Sequence, residues 1–246
     1  KKAVLPYTMP SMDKIKPDTS ILPTWSTTYQ GPYVLSAKLD GVSGLYTTEG
    51  DEPKLYTRGN GRVGQDVSHL IPYLNLPDTP NITVRGEFIM QKTVFENKYS
   101  SSQSNARNFV AGLVNKKTPV PDKYADMDFV TYEVLFPVMK PREQMEYLET
   151  HEFLTVRNVQ ASGTLTNEYL SELLIDWRNN YRYVIDGVIV ADDNLHARTT
   201  SNPKHAFAFK MVLSDQMVEA KVLDVLWSPS KDGYLKPRVR IEPVTI

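Results

Sequence analysis

Between Tyr33 and Gly41 the chain reads Tyr-Val-Leu-Ser-Ala-Lys-Leu-Asp-Gly. The β-branched and aromatic residues predict a strand, and the Asp-Gly pair predicts a tight turn at its end. Lys38 is thereby delivered to a strand end beside Asp40. A lysine amine in such a place can be a nucleophile once it reaches its neutral form. The same residues also suit a surface lysine in front of a turn. What Lys38 faces must be read from the rest of the chain.

At 246 residues the chain can bury a substantial core as one large domain, or as one domain with a small appendage. Its net charge is −1, so no overall basic character advertises nucleic acid, although 28 lysines and arginines leave room for a local basic face. There is no cysteine, which excludes disulfides and cysteine-ligated zinc or iron–sulfur sites in this chain. The four histidines, His69, His151, His196 and His205, show no metal-binding spacing. No apolar run is long enough to span a membrane. The start, Lys1-Lys2-Ala3-Val4-Leu5-Pro6, has neither an initiating Met nor an apolar h-region, which reads as a cropped start.

Periodicity predicts strands over Tyr33–Leu39, Gly44–Thr48, Leu55–Thr57, Ile82–Met90, Asp128–Phe136, Val184–Asp192 and His205–Val212. Two more, Val218–Trp227 and Leu235–Val244, flank a Pro-Ser-Lys-Asp-Gly turn. Helices are predicted over Thr93–Tyr99, from an N-cap at Asn105, over Arg142–Leu154 and from an N-cap at Thr166 to Asn179. In the last of these Tyr169, Leu170, Leu173, Leu174 and Trp177 form a stripe that reads as core. Tyr7–Thr28 has no sustained period and reads as an ordered approach segment.

Several stretches carry chemistry. Thr57-Arg58-Gly59-Asn60-Gly61-Arg62-Val63-Gly64 packs glycines around two arginines, which suits either an anion cradle or a flexible hairpin loop. Arg85 and Glu87 lie among apolar neighbours. Asn105 opens a helix beside Arg107, where free amides and a guanidinium would meet an anion. Asp186-Gly187 sits inside an apolar strand, where a carboxylate must be solvated or hold a cation. On the next strand Ala206, Ala208 and Lys210 share one face, and the alanines leave room for something bulky. Lysine, arginines and carboxylates in this combination suit attack by an amine on phosphorus, with cations on the phosphate and carboxylates on a ribose or Mg²⁺.

Taken in order, these motifs resemble the nucleotidyltransferase (adenylation) domain of NAD-dependent DNA ligases. Lys38-Leu39-Asp40-Gly41 resembles the family's KxDG, and Thr57–Gly61 with Gly64–Val67 resembles TRGDGxxGEDV. Val84–Glu87 resembles VRGE, Asn105–Asn108 resembles NPRN, Ile185–Val188 resembles IDGV, and Ala206–Lys210 resembles AxAFK. Ser11-Met12-Asp13 stands where the family has Ser-Leu-Asp, and Arg240–Val244 resembles the RLEPV that opens its oligonucleotide-binding barrel. The resemblance implies an α+β fold of two mainly antiparallel sheets packed together with flanking helices, and a nucleotide in the groove between them. It further implies an adenylation domain over 1–234 and the start of a barrel over 235–246.

The resemblance also implies roles. Lys38 would attack the α-phosphorus of NAD and carry AMP as a lysyl phosphoramidate, which then passes to a DNA 5′-phosphate for nick sealing. Asp40 would orient the lysine or bind the ribose. Arg58 and Glu87 would contact the ribose, and Glu87 and Asp186 would support Mg²⁺. Arg107 and Arg178 would face phosphates, nicotinamide mononucleotide or the nick, and Lys210 would neutralise the α-phosphate. The adenine would pack near Ser11 and Met12, with Ser36 and Ala37 reading its edge. The expected partners are NAD and nicked duplex DNA, bound by a monomer inside a bacterial or virus-infected cell.

Three departures stand out: Ser36 replaces an adenine-reading Glu, Ala191 replaces a lysine, and Asn115 replaces an arginine. Such drift points to a divergent viral or phage branch. The isolated chain is expected to bind AMP and to turn over NAD poorly, because the family's nicotinamide-selecting domain would precede Lys1. The competing readings are an ATP-dependent polynucleotide ligase or capping-type nucleotidyltransferase, and a DNA-end-binding module without chemistry.

Overall fold

The computed structural model of the chain describes residues 1–213 and 217–244. Two compact units emerge, Lys1–Lys210 and Met211–Ile246. In chain order the first unit contains β1 (Lys2–Val4), β2 (Lys14–Ile15), α1 (Ile21–Thr28), β3 (Tyr33–Leu39), β4 (Val42–Thr47), β5 (Lys54–Thr57) and β6 (Val63–Gln65). A 3-10 turn follows at Ser68–Tyr73, then β7 (Thr83–Ile89), α2 (Lys92–Lys98), α3 (Ala106–Val114), α4 (Pro121–Tyr124), β8 (Asp128–Phe136) and α5 (Pro141–Thr150). The unit closes with β9 (Asn158–Ala161), α6 (Asn167–Asn180), β10 (Ile185–Asp192) and β11 (Ala206–Phe209).

Two principal sheets result, and the fold is α+β. One has the order β5-β4-β7-β8 and is antiparallel throughout. The other has the order β2-β11-β10-β3-β9, antiparallel except where β2 pairs with β11. A small third pairing joins β1 to β6. The strands β3 and β4 are consecutive, yet they belong to different sheets. The Asp40-Gly41 pair is therefore a corner, where the chain crosses from one sheet to the other, rather than a hairpin turn. Only glycine fits there, because a Cβ on Gly41 would lie 2.3 Å from the carbonyl oxygen of Phe88 in β7.

Alternation along each strand sorts core from groove. In β7, Val84 and Phe88 are fully buried on one face, and Phe88 packs on Phe129 of β8 with ring centroids 4.9 Å apart. The helix α3 and Leu148 of α5 join the same core, as do Phe109, Val110 and Leu113. Arg85 and Glu87 face the other way. The second sheet is covered by α6, whose buried residues are Leu170, Leu174 and Trp177. Tyr169 is 40% exposed, so the apolar stripe is narrower than its sequence pattern.

The predicted caps form: the Asn105 side chain accepts from the Asn108 N–H, and the Thr166 hydroxyl accepts from the Tyr169 N–H. Other boundaries move. The helix expected to reach Leu154 ends at Thr150, and Phe153 packs inward from the following turn. Within the expected approach segment lies α1, whose Pro23 is tolerated because the first helical turn has no intrahelical partner for its N–H groups. The second unit is a hairpin of β12 (Val222–Pro229) and β13 (Leu235–Ile241). The boundary expected at 234/235 falls between these two strands. Thr245 and Ile246, the last residues of the expected barrel start, lie outside the described residues.

Truncating Phe88 empties the core behind the groove while leaving groove side chains in place. Phe88→Ala is expected to lower stability by about 3–5 kcal/mol, read as a lower urea midpoint. A midpoint shift worth less than about 1 kcal/mol would contradict this packing.

Candidate active site

A groove of about 1950 Å³ opens between the two sheets of the first unit. Lys38, at the end of β3, and Lys210, just past β11, both reach one carboxylate. Lys38 Nζ donates to Asp186 Oδ1 at 3.0 Å, and Lys210 Nζ donates to Asp186 Oδ2 at 2.8 Å. Each of these side chains is 28–31% exposed, so they meet solvent from the groove floor.

Register explains the meeting. Leu39 pairs with Ile185 and Lys38 with Gly187, which leaves Asp186 as the extra residue of a β-bulge in β10. A bulge bends its strand and re-aims a side chain, here toward both ammonium groups. Gly187 must stay small: a Cβ there would lie 2.6 Å from the Phe209 carbonyl oxygen and 3.2 Å from Lys210 Cγ. Asp40 sits beside the corner with Arg107 Nε 3.5 Å from its Oδ1, and Arg107 Nε also donates to the Gly41 carbonyl at 3.2 Å. Burial, with the nearby Asp186 charge, pushes the Asp40 carboxyl up, against the pull of Arg107, Lys38 and Lys210.

The opposite wall comes from the other sheet. Glu87 is 8% exposed. Burial pushes its carboxyl up to about 7, despite Arg85, Lys38 and hydrogen bonds from Tyr132 and the Gly41 N–H. The Tyr132 hydroxyl donates to Glu87 Oε2 at 3.3 Å, Ser43 Oγ lies 2.9 Å from that hydroxyl, and Arg85 Nε donates to it at 3.1 Å. A second bulge builds this wall. Arg85 pairs with Glu133 and Gly86 with Thr131, so Tyr132 is the extra residue of β8. Sequence reading missed Tyr132 and Ser43. Arg85, one strand position from Glu87 on the same face, was the available signal.

The Arg-Gly loop also faces inward. Arg58 Nε donates to the Met9 carbonyl at 2.8 Å, and a terminal nitrogen donates to Ser11 Oγ at 3.0 Å. Arg85 donates to the Pro10 carbonyl at 3.0 Å. Two arginines thus pin Met9–Ser11 along one edge of the groove. The lining includes Ser11, Met12, Ser36, Ala37, Lys38, Arg58, Glu87, Arg107, Asp186 and Lys210, together with Asn115 and Ala191. Arg178 is placed elsewhere, on α6, where its carbonyl accepts from Lys92 Nζ at 2.7 Å. Among the described residues no three His, Cys, Asp or Glu side chains converge as a metal cluster. Glu87 and Asp186 suit a different mode, in which Mg²⁺ takes one or two carboxylates and completes its shell with phosphate and water. No described helix is long and apolar enough to cross a membrane.

Glu87 gives the groove a pH-dependent cost. Its folded carboxyl holds a proton to about pH 7, whereas 4.5 is its ordinary value. Below the ordinary value both folded and unfolded chains are protonated and the cost vanishes. As pH rises through this window the fold binds more protons than the unfolded chain, so stability falls. Glu87→Gln is therefore expected to be nearly neutral near pH 4.5 and stabilising at about pH 8 by on the order of 3 kcal/mol. Urea midpoints of both proteins at the two pH values check this, and equal stability at the higher pH would refute it.

Comparison with known proteins gives the family and the fold. Residues 19–213 match the family model described as NAD-dependent DNA ligase adenylation domain. The chain is 40% identical over its whole length to a DNA ligase of Acanthamoeba polyphaga mimivirus, and 37% identical to a putative DNA ligase of Invertebrate iridescent virus 6. It covers 40% and 42% of those proteins, so it spans about two fifths of the length of these curated relatives. A DNA ligase of Clostridioides difficile is 27% identical over 87% of the chain and 35% of that protein, which sets this chain with a viral branch. Among solved structures, one from a study of Lig E DNA ligases superposes with a TM-score of 0.54 at 14% identity, covering 93% of this chain and 84% of that one. A putative ATP-dependent DNA ligase from Aquifex aeolicus gives 0.52 at 14% identity, over 82% and 49%. At such identities the likeness is one of fold. The chain belongs to the NAD-dependent DNA ligase adenylation domain family.

Proposed function

We propose that this chain is the catalytic core of a DNA ligase that takes its adenylyl group from NAD onto Lys38. The observation that carries the reading is the Lys38–Asp186–Lys210 arrangement on the groove floor. An amine and a second cation are each held within hydrogen-bonding distance of one carboxylate. That is the set needed to attack a phosphorus atom and to receive the charge that develops on its oxygens.

In this reading Lys38 Nζ attacks the α-phosphorus of NAD. A P–N bond forms, the P–O bond to nicotinamide mononucleotide breaks, and the proton released by the partly exposed amine passes to solvent. Lys210 lies where it neutralises charge on the α-phosphate. Asp186 holds both lysines in place before the donor arrives, which removes part of the ordering cost from the reaction itself. Asp40, with Arg107 beside it, contacts the ribose or keeps Lys38 aligned. Arg58 and Glu87 face the ribose from the opposite wall. Glu87 and Asp186 are the residues that would hold Mg²⁺, which when bound withdraws charge from the phosphate. AMP then passes to the 5′-phosphate of nicked duplex DNA, and Lys38 is freed. The hairpin of the second unit is the start of an oligonucleotide-binding barrel in this reading.

The test needs one adenylation event per chain rather than turnover. The chain is incubated with NAD or with ATP in the presence of Mg²⁺, and its intact mass is read. NAD is expected to add one AMP slowly and to a fraction of the isolated chains, and Lys38→Ala is expected to abolish the gain. Addition from ATP alone would reassign the donor. A full gain in Lys38→Ala would remove the nucleophile, and no gain from either donor would sink the reading.

A further inference from the structure

Outside the groove, the stretch that leads into β10 carries a second concentration of positive charge. It reads Tyr181-Arg182-Tyr183-Val184-Ile185-Asp186, and its burial alternates. Tyr181, Tyr183 and Ile185 are buried, whereas Arg182 and Val184 are exposed and Asp186 is partly exposed. The outward side therefore runs from the groove floor to Arg182, about 13 Å along the strand. It passes the corner between the sheets, where the Val184 carbonyl accepts from the Asp40 N–H at 3.0 Å. At its far end the Arg182 carbonyl accepts from the Lys92 N–H at 2.9 Å.

Two arginines are held there on a pair of tyrosines. The Arg157 guanidinium lies 4.6 Å from the Tyr181 ring centroid and that of Arg182 lies 5.2 Å from the Tyr183 centroid. The two rings meet edge to face with centroids 5.4 Å apart. Arg157 precedes β9, and its N–H donates to the Tyr181 hydroxyl at 3.0 Å. Burial pushes that hydroxyl up, while the Arg157 N–H and both guanidinium charges pull it down, so the two arginines flank one ring. Neither guanidinium makes a hydrogen bond or an ion pair among the described residues. Lys92 adds a third charge, with Nζ on the Arg178 carbonyl at 2.7 Å. The carboxylate that meets Tyr183, Asp128, accepts from its hydroxyl at 2.6 Å and from Gln91 at 3.3 Å. Other arginines of this unit are committed: Arg58 and Arg85 to carbonyls, Arg142 and Arg198 to carboxylates. Stacking holds a guanidinium in one plane and leaves its N–H donors free at the edge, an arrangement that suits phosphate oxygens.

Resting on the DNA ligase reading above, we propose that Arg157 and Arg182, laid on Tyr181 and Tyr183, form a contact for the phosphate backbone of nicked DNA beyond the groove. A strand whose 5′-phosphate meets the lysine-bound AMP has to leave the groove, and the exposed side from Asp186 to Arg182 leads out of it. One DNA strand advances about 3.4 Å per nucleotide along its axis, so Arg182 lies within about four nucleotides of the reacting phosphorus. Contacts of this kind add affinity and fix register without reading sequence. The donor's α-phosphate is met at Lys38 and Lys210, so the two arginines serve nick binding rather than the labelling of Lys38.

Two readouts separate these roles. One is fluorescence anisotropy of a dye-labelled nicked duplex titrated with the chain at salt between about 50 and 200 mM. The other is the rate of Lys38 labelling by NAD, with urea midpoints showing that each variant is folded. Arg157→Gln and Arg182→Gln are each expected to weaken nick binding about three- to tenfold and to reduce the slope of log K against log salt by about 0.9. Labelling by NAD is expected to stay within about twofold. Arg157→Lys and Arg182→Lys, which keep the charge, are expected to keep the salt slope. Unchanged affinity and slope in both glutamine variants would overturn the proposal. Slower labelling with nick binding unchanged would overturn it as well, by moving the arginines to the donor. So would nick binding by the unsubstituted chain that does not respond to salt. Weakened nick binding in the glutamine variants, with no labelling of Lys38 by NAD or ATP, would uphold this contact and overturn the adenylation reading alone.

Discussion

One carboxylate, Asp186, holds the ends of two strands together through two lysines. Lys38 arrives from β3 and Lys210 from the end of β11, and β10 runs between them with Asp186 on its bulge. The ion pairs are partly open to solvent, so their contribution to stability is small, about 0–1 kcal/mol each. Their value lies in geometry. Without the carboxylate, two ammonium groups would face each other across the groove floor. With it, both are fixed on the groove floor. The constraint reaches back into the sequence: Gly187 has to be glycine so that Lys210 and the Phe209 carbonyl can close against β10.

The opposite wall is built on the same plan with the opposite balance. There the carboxylate, Glu87, is buried and raised to about 7, and a tyrosine, a serine and an arginine surround it. Its burial is costly, and perturbed carboxyls of this kind cluster at functional sites. The two walls are joined covalently at the Asp40-Gly41 corner. The hydrogen bond from the Gly41 N–H to Glu87 ties that corner to the opposite wall.

Much of this was legible in the residues. Tyr33–Leu39 and Asp128–Phe136 are strands with the bounds their composition predicts, because aromatic and β-branched runs bounded by turn residues leave few alternatives. The caps at Asn105 and Thr166 form because a side-chain oxygen satisfies an otherwise orphaned N–H. Three features were hidden. A bulge is a mismatch between two strands, so neither Asp186 nor Tyr132 announces its direction in its own sequence. Asp-Gly looks the same as a hairpin turn and as a corner between sheets. The short strand β9 pairs only because β3 offers it an edge, and its four residues carry no period of their own. Arg178, expected at the groove from its spacing to Asp186, lies on α6 beside Lys92 instead, since spacing along the chain does not fix which face of a helix meets the site.

If Asp186 works by organising Lys38 and Lys210 as one unit, Asp186 and Lys210 cannot fail independently. A double-mutant cycle on the rate of Lys38 labelling by NAD, using Asp186→Asn and Lys210→Met, measures this directly. The account predicts that each single substitution slows labelling by at least about a hundredfold and that the double variant is little slower than the worse single. Losses that multiply in the double variant would mean that the carboxylate and Lys210 act separately, and would contradict the shared arrangement.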